Sequence, residues 1–352
     1  MRRSLGALPV GSARRGHTVR PMRTTKHLRW GIVGTGWIAG IFAEALAKSL
    51  HGRLHAVASR TQDRADAFAR KHGVAKAYGT RDALLADPAI DVVYIASPHT
   101  SHCPDTLAAL KAGKHVLCEK PMAVTPAEAT RMVAAAQKAG VVLLEAFMYR
   151  THPQTLKLQQ LVRDGVIGDL RCIRAAFTFD LGVLPVSAKL NPRTTVSMRG
   201  GSLYEVGGYC VNASRMLAGE EPSSIEAAWS IDPRTGVDRA CAGVLGFPSG
   251  VVAHFDVGFH SIPTNVIEVI GAKGRLHVAS PWWPDRTRAV ITVERTGRKP
   301  REVVVRNGGW IFTVEADHLA DVVAGRAKPL IPGQDAIGNV RVLDTIWRRM
   351  HR

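Results

Sequence analysis

A short apolar run, Trp30–Val33, passes directly into Gly34-Thr35-Gly36-Trp37-Ile38-Ala39 and then into a helical pattern. A strand that turns through two glycines into a helix leaves few architectures open, because it reads as the first crossover of a parallel α/β sheet. In such a turn Gly34 permits the tight bend, and Gly36 lets the backbone approach a pyrophosphate. Ala39 lets the helix lie close on the strand; Trp37 follows the turn and is a candidate wall of the nicotinamide pocket, and Ile38 joins the candidate cofactor-binding set. The spacing alone is weak. A second apolar run at the expected distance, Leu54–Ser59, makes it a candidate dinucleotide site.

The same alternation continues to Phe147. Further strands are expected at Val92–Ala96, His115–Cys118 and Val141–Glu145, and helices at Ile38–Lys48, Asp63–His72, Pro104–Lys111 and Pro126–Ala139. The last helix is well marked: Thr125 is the N-cap, Pro126 opens it, Glu128 follows three residues after the cap, and Gly140 closes it. Beyond Arg150 the pattern changes. A helix over Pro153–Asp164 leads into alternating runs at Leu170–Phe179, Ile225–Ser230, Ala240–Phe247, Val251–Phe259, Asn265–Ile270, Arg275–Val278 and Ala289–Glu294. Two helices, Ile311–Ala324 and Asp335–Arg349, close the chain. The predicted fold class is an α/β Rossmann domain with a parallel doubly wound sheet over 27–150. An α+β domain with a large open, mostly antiparallel sheet follows over 151–352.

A length of 352 residues suits two such domains. The net charge of +18 resembles a nucleic-acid signal until its location is read. Arg2, Arg3, Arg14, Arg15, Arg20, Arg23, Lys26 and Arg29 precede the first strand without one acidic residue, and removing these eight leaves +10. Residues 1–26 read as a disordered basic tail, with Met22 as an alternative start, and no nucleic-acid partner is expected. Leu5–Val10 is too short for the apolar core of a signal peptide. No run is long enough for a membrane span. The five cysteines are odd in number and scattered, which fits a reducing cytoplasm and neither a disulfide framework nor a metal site.

The end of the second strand separates NAD from NADP. A carboxylate there accepts bonds from a ribose 2′-hydroxyl. This chain has Ser59-Arg60-Thr61 instead, with two hydroxyl donors and a guanidinium suited to a 2′-phosphate, so NADP is the expected cofactor and NAD the lesser alternative. Glu119-Lys120-Pro121 ends another strand at the carboxyl edge, where a lysine can hydrogen-bond a reacting oxygen. A third segment, Gly200-Gly201-Ser202-Leu203-Tyr204-Glu205-Val206-Gly207-Gly208-Tyr209, places Glu205 and Tyr209 four apart at a helix start, hence on one face. A phenol serving near neutral pH needs a neighbouring ammonium such as Lys120 to lower its pKa.

The segments RWGIVGTGWIA, AVASRTQDRADAFA, IASPHTSH, AGKHVLCEKP, EAFMYRTHP and GGSLYEVGGYC, in this order, resemble the glucose–fructose oxidoreductase/inositol dehydrogenase (Gfo/Idh/MocA) family across Leu28 to Trp347. The chain is most similar to that family's dihydrodiol dehydrogenase and NADP-dependent xylose/glucose dehydrogenase branch. The resemblance implies NAD(P)-dependent hydride transfer on a sugar-like alcohol or carbonyl. It implies that Lys120 is the catalytic lysine, with a cis Lys120–Pro121 bond, that Tyr209 exchanges the proton, and that Ser97, Pro98, His102, Glu119 and Arg150 lie along the cofactor channel. Glu205 departs from the aspartate usual there and keeps the carboxylate one methylene further out.

The expected activity is therefore an NADP-dependent dehydrogenase or reductase of a polyol, an aldose or a trans-dihydrodiol. A keto-sugar-nucleotide reductase of a deoxysugar pathway shares every residue named, and Glu205 leaves open a non-catalytic NADP-binding sensor or scaffold. A sheet-to-sheet homodimer is expected, because Val251, Val252, Phe255, Val257 and Phe259 read as apolar on both alternations, with Val257 pointing outward.

Overall fold

The computed structural model describes residues 27–181, 191–306 and 308–352, so the basic tail lies outside the described residues. The first sheet contains β1 (Leu28–Val33), β2 (Gly52–Ala58), β3 (Lys76–Tyr78), β4 (Val92–Ile95), β5 (His115–Glu119) and β6 (Leu143–Ala146). All pairings are parallel, in the order β3-β2-β1-β4-β5-β6, the doubly wound arrangement expected from the turn at Gly34. Its helices are α1 (Trp37–Leu46), α2 (Gln62–His72), α3 (Arg81–Leu85), α4 (His99–Lys111) and α5 (Pro126–Ala139). The cap on α5 is as read: Thr125 accepts from the Glu128 N–H, and Gly140 closes the helix at φ 67°. Helix α4 begins at His99, five residues before the expected Pro104, so Pro104 sits inside the helix. Proline lacks an N–H, so this interior place costs α4 one backbone hydrogen bond.

Helix α6 (Pro153–Arg163) leads into the second sheet, made of β7 (Leu170–Asp180), β8 (Ser224–Ile231), β9 (Asp238–Gly246), β10 (Val252–Gly258), β11 (His260–Gly271), β12 (Gly274–Val278), β13 (Arg288–Arg295) and β14 (Arg301–Arg306). Its order is β14-β13-β12-β11-β7-β10-β9-β8, with only β7 and β10 parallel. One face is covered by α7 (Gly208–Ala218) and the π-helical turn Leu203–Gly207 that precedes it. The closing helices α8 (Ile311–Val323) and α9 (Gly333–Met350) return to the first domain, α8 packing on α1 and α9 on α5.

The expected outward position of Val257 is corrected here. Ala253, Phe255 and Val257 all face the covered side, at 0, 2 and 2% exposure, because side chains alternate strictly along β10. The outward set is Val252, His254 and Asp256, while Val251 and Phe259 lie buried just beyond the strand ends. The outer face is thus apolar only in part, at Ala228, Ala242, Val244 and Val252 on β8–β10. Across β11–β13 it carries Glu268, Arg275 and Glu294 in ion pairs.

Candidate active site

The turn at Gly34 has the space that a dinucleotide needs. Gly34 sits at φ 109°, and a Cβ there would lie 2.6 Å from the Ala96 carbonyl oxygen, so no other residue fits. A Cβ on Gly36 would meet nothing within 4 Å, which leaves the backbone open to a phosphate. No side chain caps the N-terminus of α1, so its first amides stay available to an anion. Ala39 is fully buried against the strand, and Ile38 packs on the core's edge. At the end of β2, Ser59 Oγ lies 3.0 Å from Thr35 Oγ1, tying the two loops together, while Arg60 and Thr61 are exposed. These residues fit an NAD(P) adenosine diphosphate.

At the carboxyl edge of β5 the charged groups converge. Lys120 Nζ donates to the backbone carbonyl of Glu205 at 2.7 Å and lies 3.9 Å from the Glu205 carboxylate and 5.3 Å from the Tyr209 ring centre. Arg193, in a short turn over Pro192–Thr194, donates from Nε to Glu205 at 2.7 Å, and His99 Nε2 lies 3.9 Å from the same carboxylate. Burial pushes the Glu205 pKa up, but Lys120, Arg193 and His99 outweigh it and hold the group well below the usual carboxylate range. Burial drives His99 down to about 3, so at neutral pH it is an uncharged ring. Glu119 is raised by burial against the pull of Lys120; it accepts from the Tyr94 hydroxyl and, at 3.1 Å, from the Lys120 amide.

The π turn is set by a buried acid that the sequence did not single out. Asp238 accepts from Ser202 Oγ and the Leu203 amide, both at 2.7 Å, and burial raises its pKa to about 6. Gly201, at φ 113°, lies so close that a Cβ would fall 1.9 Å from Asp238 Oδ1. This clamp aims Glu205 at Lys120. π turns of this kind gather at functional sites.

Tyr209 meets Lys120 through its ring face, and its hydroxyl donates to Met148 Sδ at 3.2 Å. The lowered phenol pKa expected from the ammonium is not found. Burial raises it well above its ordinary value, and Glu119 and Glu205 add to the rise. Tyr204 is fully buried and donates to the Val124 carbonyl at 2.9 Å, a packing role.

Several channel residues are engaged with the protein itself. Ser97 donates to Asp105 at 2.6 Å, and Pro98 is the N-cap residue of α4. His102 is fully buried, its ring nitrogens 2.9 and 2.8 Å from the Pro121 and Ser97 carbonyls. Arg150 is held by Asp335 at 2.8 Å, Asn212 at 3.0 Å and the Leu330 carbonyl at 2.7 Å, a buried network. His152 caps α6, accepting from the Gln154 amide. Trp282 is buried and donates to Ala176, whereas Trp283 and Trp37 are exposed and pair at 6.5 Å. The Lys120–Pro121 bond is cis. Among the described residues no group of three His, Cys, Asp or Glu is placed to hold a metal, and no helix is long and apolar enough to cross a membrane.

Arg193 is the site residue that sequence reading missed. It stands alone among Pro, Asn and Thr, so nothing but its fold-imposed contact with Glu205 marks it out.

Residues 28–147 match the family described as "Oxidoreductase family, NAD-binding Rossmann fold", and residues 155–277 match a GFO/IDH/MocA C-terminal domain. A trans-1,2-dihydrobenzene-1,2-diol dehydrogenase from Mus musculus is 38% identical over 87% of this chain and 91% of its own length. Among solved structures, an aldose-aldose oxidoreductase from Caulobacter crescentus superposes with a TM-score of 0.83 at 30% identity, covering 93% of this chain and 99% of the other. A 3-ketoreductase from Actinomadura kijaniata, in complex with NADP and TDP-benzene, superposes with a TM-score of 0.81 at 28% identity, covering 91% and 97%.

Proposed function

The chain belongs to the Gfo/Idh/MocA family of NAD(P)-dependent oxidoreductases, and we propose that it is an NADP-preferring dehydrogenase or reductase of a cyclic polyhydroxylated substrate, an aldose or a trans-dihydrodiol. The observation that carries this reading is the meeting of Lys120, Glu205 and Tyr209 at the carboxyl edge of β5. When bound, a nicotinamide supplies or accepts the hydride. Gly34, Gly36 and Ala39 with Trp37 and Ile38 would hold the diphosphate side of that cofactor, and Ser59, Arg60 and Thr61 would bind its 2′-phosphate. Ser97, Pro98, His102 and Glu119 shape the wall that leads to Lys120.

Lys120, aligned by Glu205, hydrogen-bonds the reacting oxygen and stabilises its developing negative charge. Tyr209 holds the proton. A thioether is a weak acceptor, so its hydroxyl gives up little on turning from Met148 to a substrate oxygen, and its high pKa keeps it protonated as a donor. Lys120 and Arg193 keep Glu205 ionised, and Arg193 with the neutral His99 ring would meet substrate hydroxyls.

Purified protein should oxidise or reduce members of a panel of aldoses and trans-dihydrodiols with NADP(H), read at the nicotinamide absorbance. Turnover confined to nucleotide-linked 3-keto sugars would move the substrate to that class. Cofactor binding with no turnover on any arm would favour a sensor. We place the enzyme in the cytoplasm as a homodimer; five free cysteines suit the first, and the exposed Val244 and Val252 on the outer sheet face suit the second.

A further inference from the structure

Glu145, at the end of β6, has no part in the chemistry just described. It is 2% exposed, a placement carboxyl groups rarely take without specific partners. Oε1 accepts the Met122 amide at 2.7 Å, and Oε2 is buried with no hydrogen-bond partner. The parallel register aligns Cys118 with Glu145 and Glu119 with Ala146, which sets this side chain beside the residues that follow Lys120. The same segment is held from the other side by His102 Nδ1 at the Pro121 carbonyl.

The charged groups facing Glu145 are Asp335 on α9, Arg215 on α7 and Arg150 in the turn after β6. Asp335 bridges both guanidinium groups at 2.8 Å, and Glu221 also pairs with Arg215. Two arginines are therefore already matched by two carboxylates. Glu145 is not needed as a counter-ion, and burial pushes its pKa up to about 8. A neutral carboxyl still accepts an amide N–H through its carbonyl oxygen. What remains for this residue is geometry.

We propose that Glu145 is the positioning residue of Lys120. Its Oε1 fixes the Met122 amide, and so fixes the backbone from which Lys120 reaches across to the Glu205 carbonyl. A misplacement of about 1 Å at such a group can cost on the order of a hundredfold in rate. The inference rests on the reading of Lys120 as the catalytic lysine, but its test does not need a substrate.

Two variants separate reach from charge. Glu145→Gln keeps the reach and removes the charge, whereas Glu145→Asp keeps the acid and draws it back by one methylene. Acetic anhydride labelling of Lys120, followed residue by residue by mass spectrometry, reads the lysine directly, with melting temperature and NADPH affinity as controls. Glu145→Gln is expected to label Lys120 at the wild-type rate. Glu145→Asp is expected to label it several-fold faster with NADPH affinity unchanged, and to lose roughly ten- to a hundredfold in kcat at unchanged KM. The reverse pattern, or two variants that behave alike, overturns the proposal. If the wild-type protein turns over nothing, the proposed function falls while the labelling still decides the role of Glu145.

Discussion

Lys120 Nζ donates to the backbone carbonyl of Glu205 across 2.7 Å, joining the residue just past β5 to the π turn of the second domain. The ammonium is thereby aimed by a main-chain group, and the Glu205 carboxylate remains free for Arg193. Lys120→Met should lower kcat on the order of a hundred- to ten-thousandfold. Fluorescence titration should show NADPH affinity preserved, because the phosphate turn at Gly34–Ala39 is untouched.

Tyr209→Phe removes a hydroxyl whose partner is a thioether. The melting temperature should move little, since a bond this weak contributes less than about 1 kcal/mol, while kcat falls by roughly a hundredfold or more. Full turnover by this variant would transfer the proton role elsewhere.

Arg60 stands exposed at the end of β2, with no carboxylate beside it to reward a free ribose hydroxyl. Arg60→Ala should weaken NADP binding by roughly ten- to a hundredfold, the worth of one charge-assisted contact, and leave NAD binding unchanged. Parallel titrations check it.

Glu145 sets a pH dependence of stability. Its pKa rises from 4.5 to about 8 on folding, so between those values the folded protein holds a proton that the unfolded chain has released. Stability therefore falls as pH rises through this window and levels off above it. Glu145→Gln should remove that slope, becoming more stable than wild type by a few kcal/mol, on the order of one per pKa unit, near pH 8, and by little near pH 4.5. Melting curves across the window measure it.

The outer face of β8–β10 offers its own test. Val244 is 46% exposed and Val252 42% exposed. Val244→Lys should halve the mass seen by light scattering at micromolar protein, whereas a charge at buried Val257 would unfold the sheet and report nothing about assembly.

Much of this architecture was legible because its signals are local. The strand–glycine–helix junction at Gly34, the cap at Thr125 and the lysine just past β5 each declare themselves within a few residues. Strand β14 was not foreseen because Arg301–Arg306 is flanked by charge, and of helix α7 only the start was read because it opens on glycines. The outward set of β10 was misjudged because two apolar residues, Val251 and Val252, sit side by side where the strand begins. Arg193, Asp238 and Asp335 escaped notice for a common reason. Their partners are 12 to 185 residues away, and single charged residues carry no periodicity to reveal such pairing.

Helices α8 and α9 bear on how this protein can be engineered. Thr313 on α8 bonds the Ala45 carbonyl at 3.0 Å, Asp317 receives the Leu50 amide at 3.1 Å, and Ala336, Ile337 and Val340 on α9 are buried with the packing of α5. The nucleotide-binding half is thus completed by the last forty or so residues of the chain. A graft of 27–150 alone onto another scaffold would arrive with two raw apolar flanks and aggregate. An exchangeable cofactor module must take its seam from both ends of the polypeptide, carrying 27–150 together with 311–350.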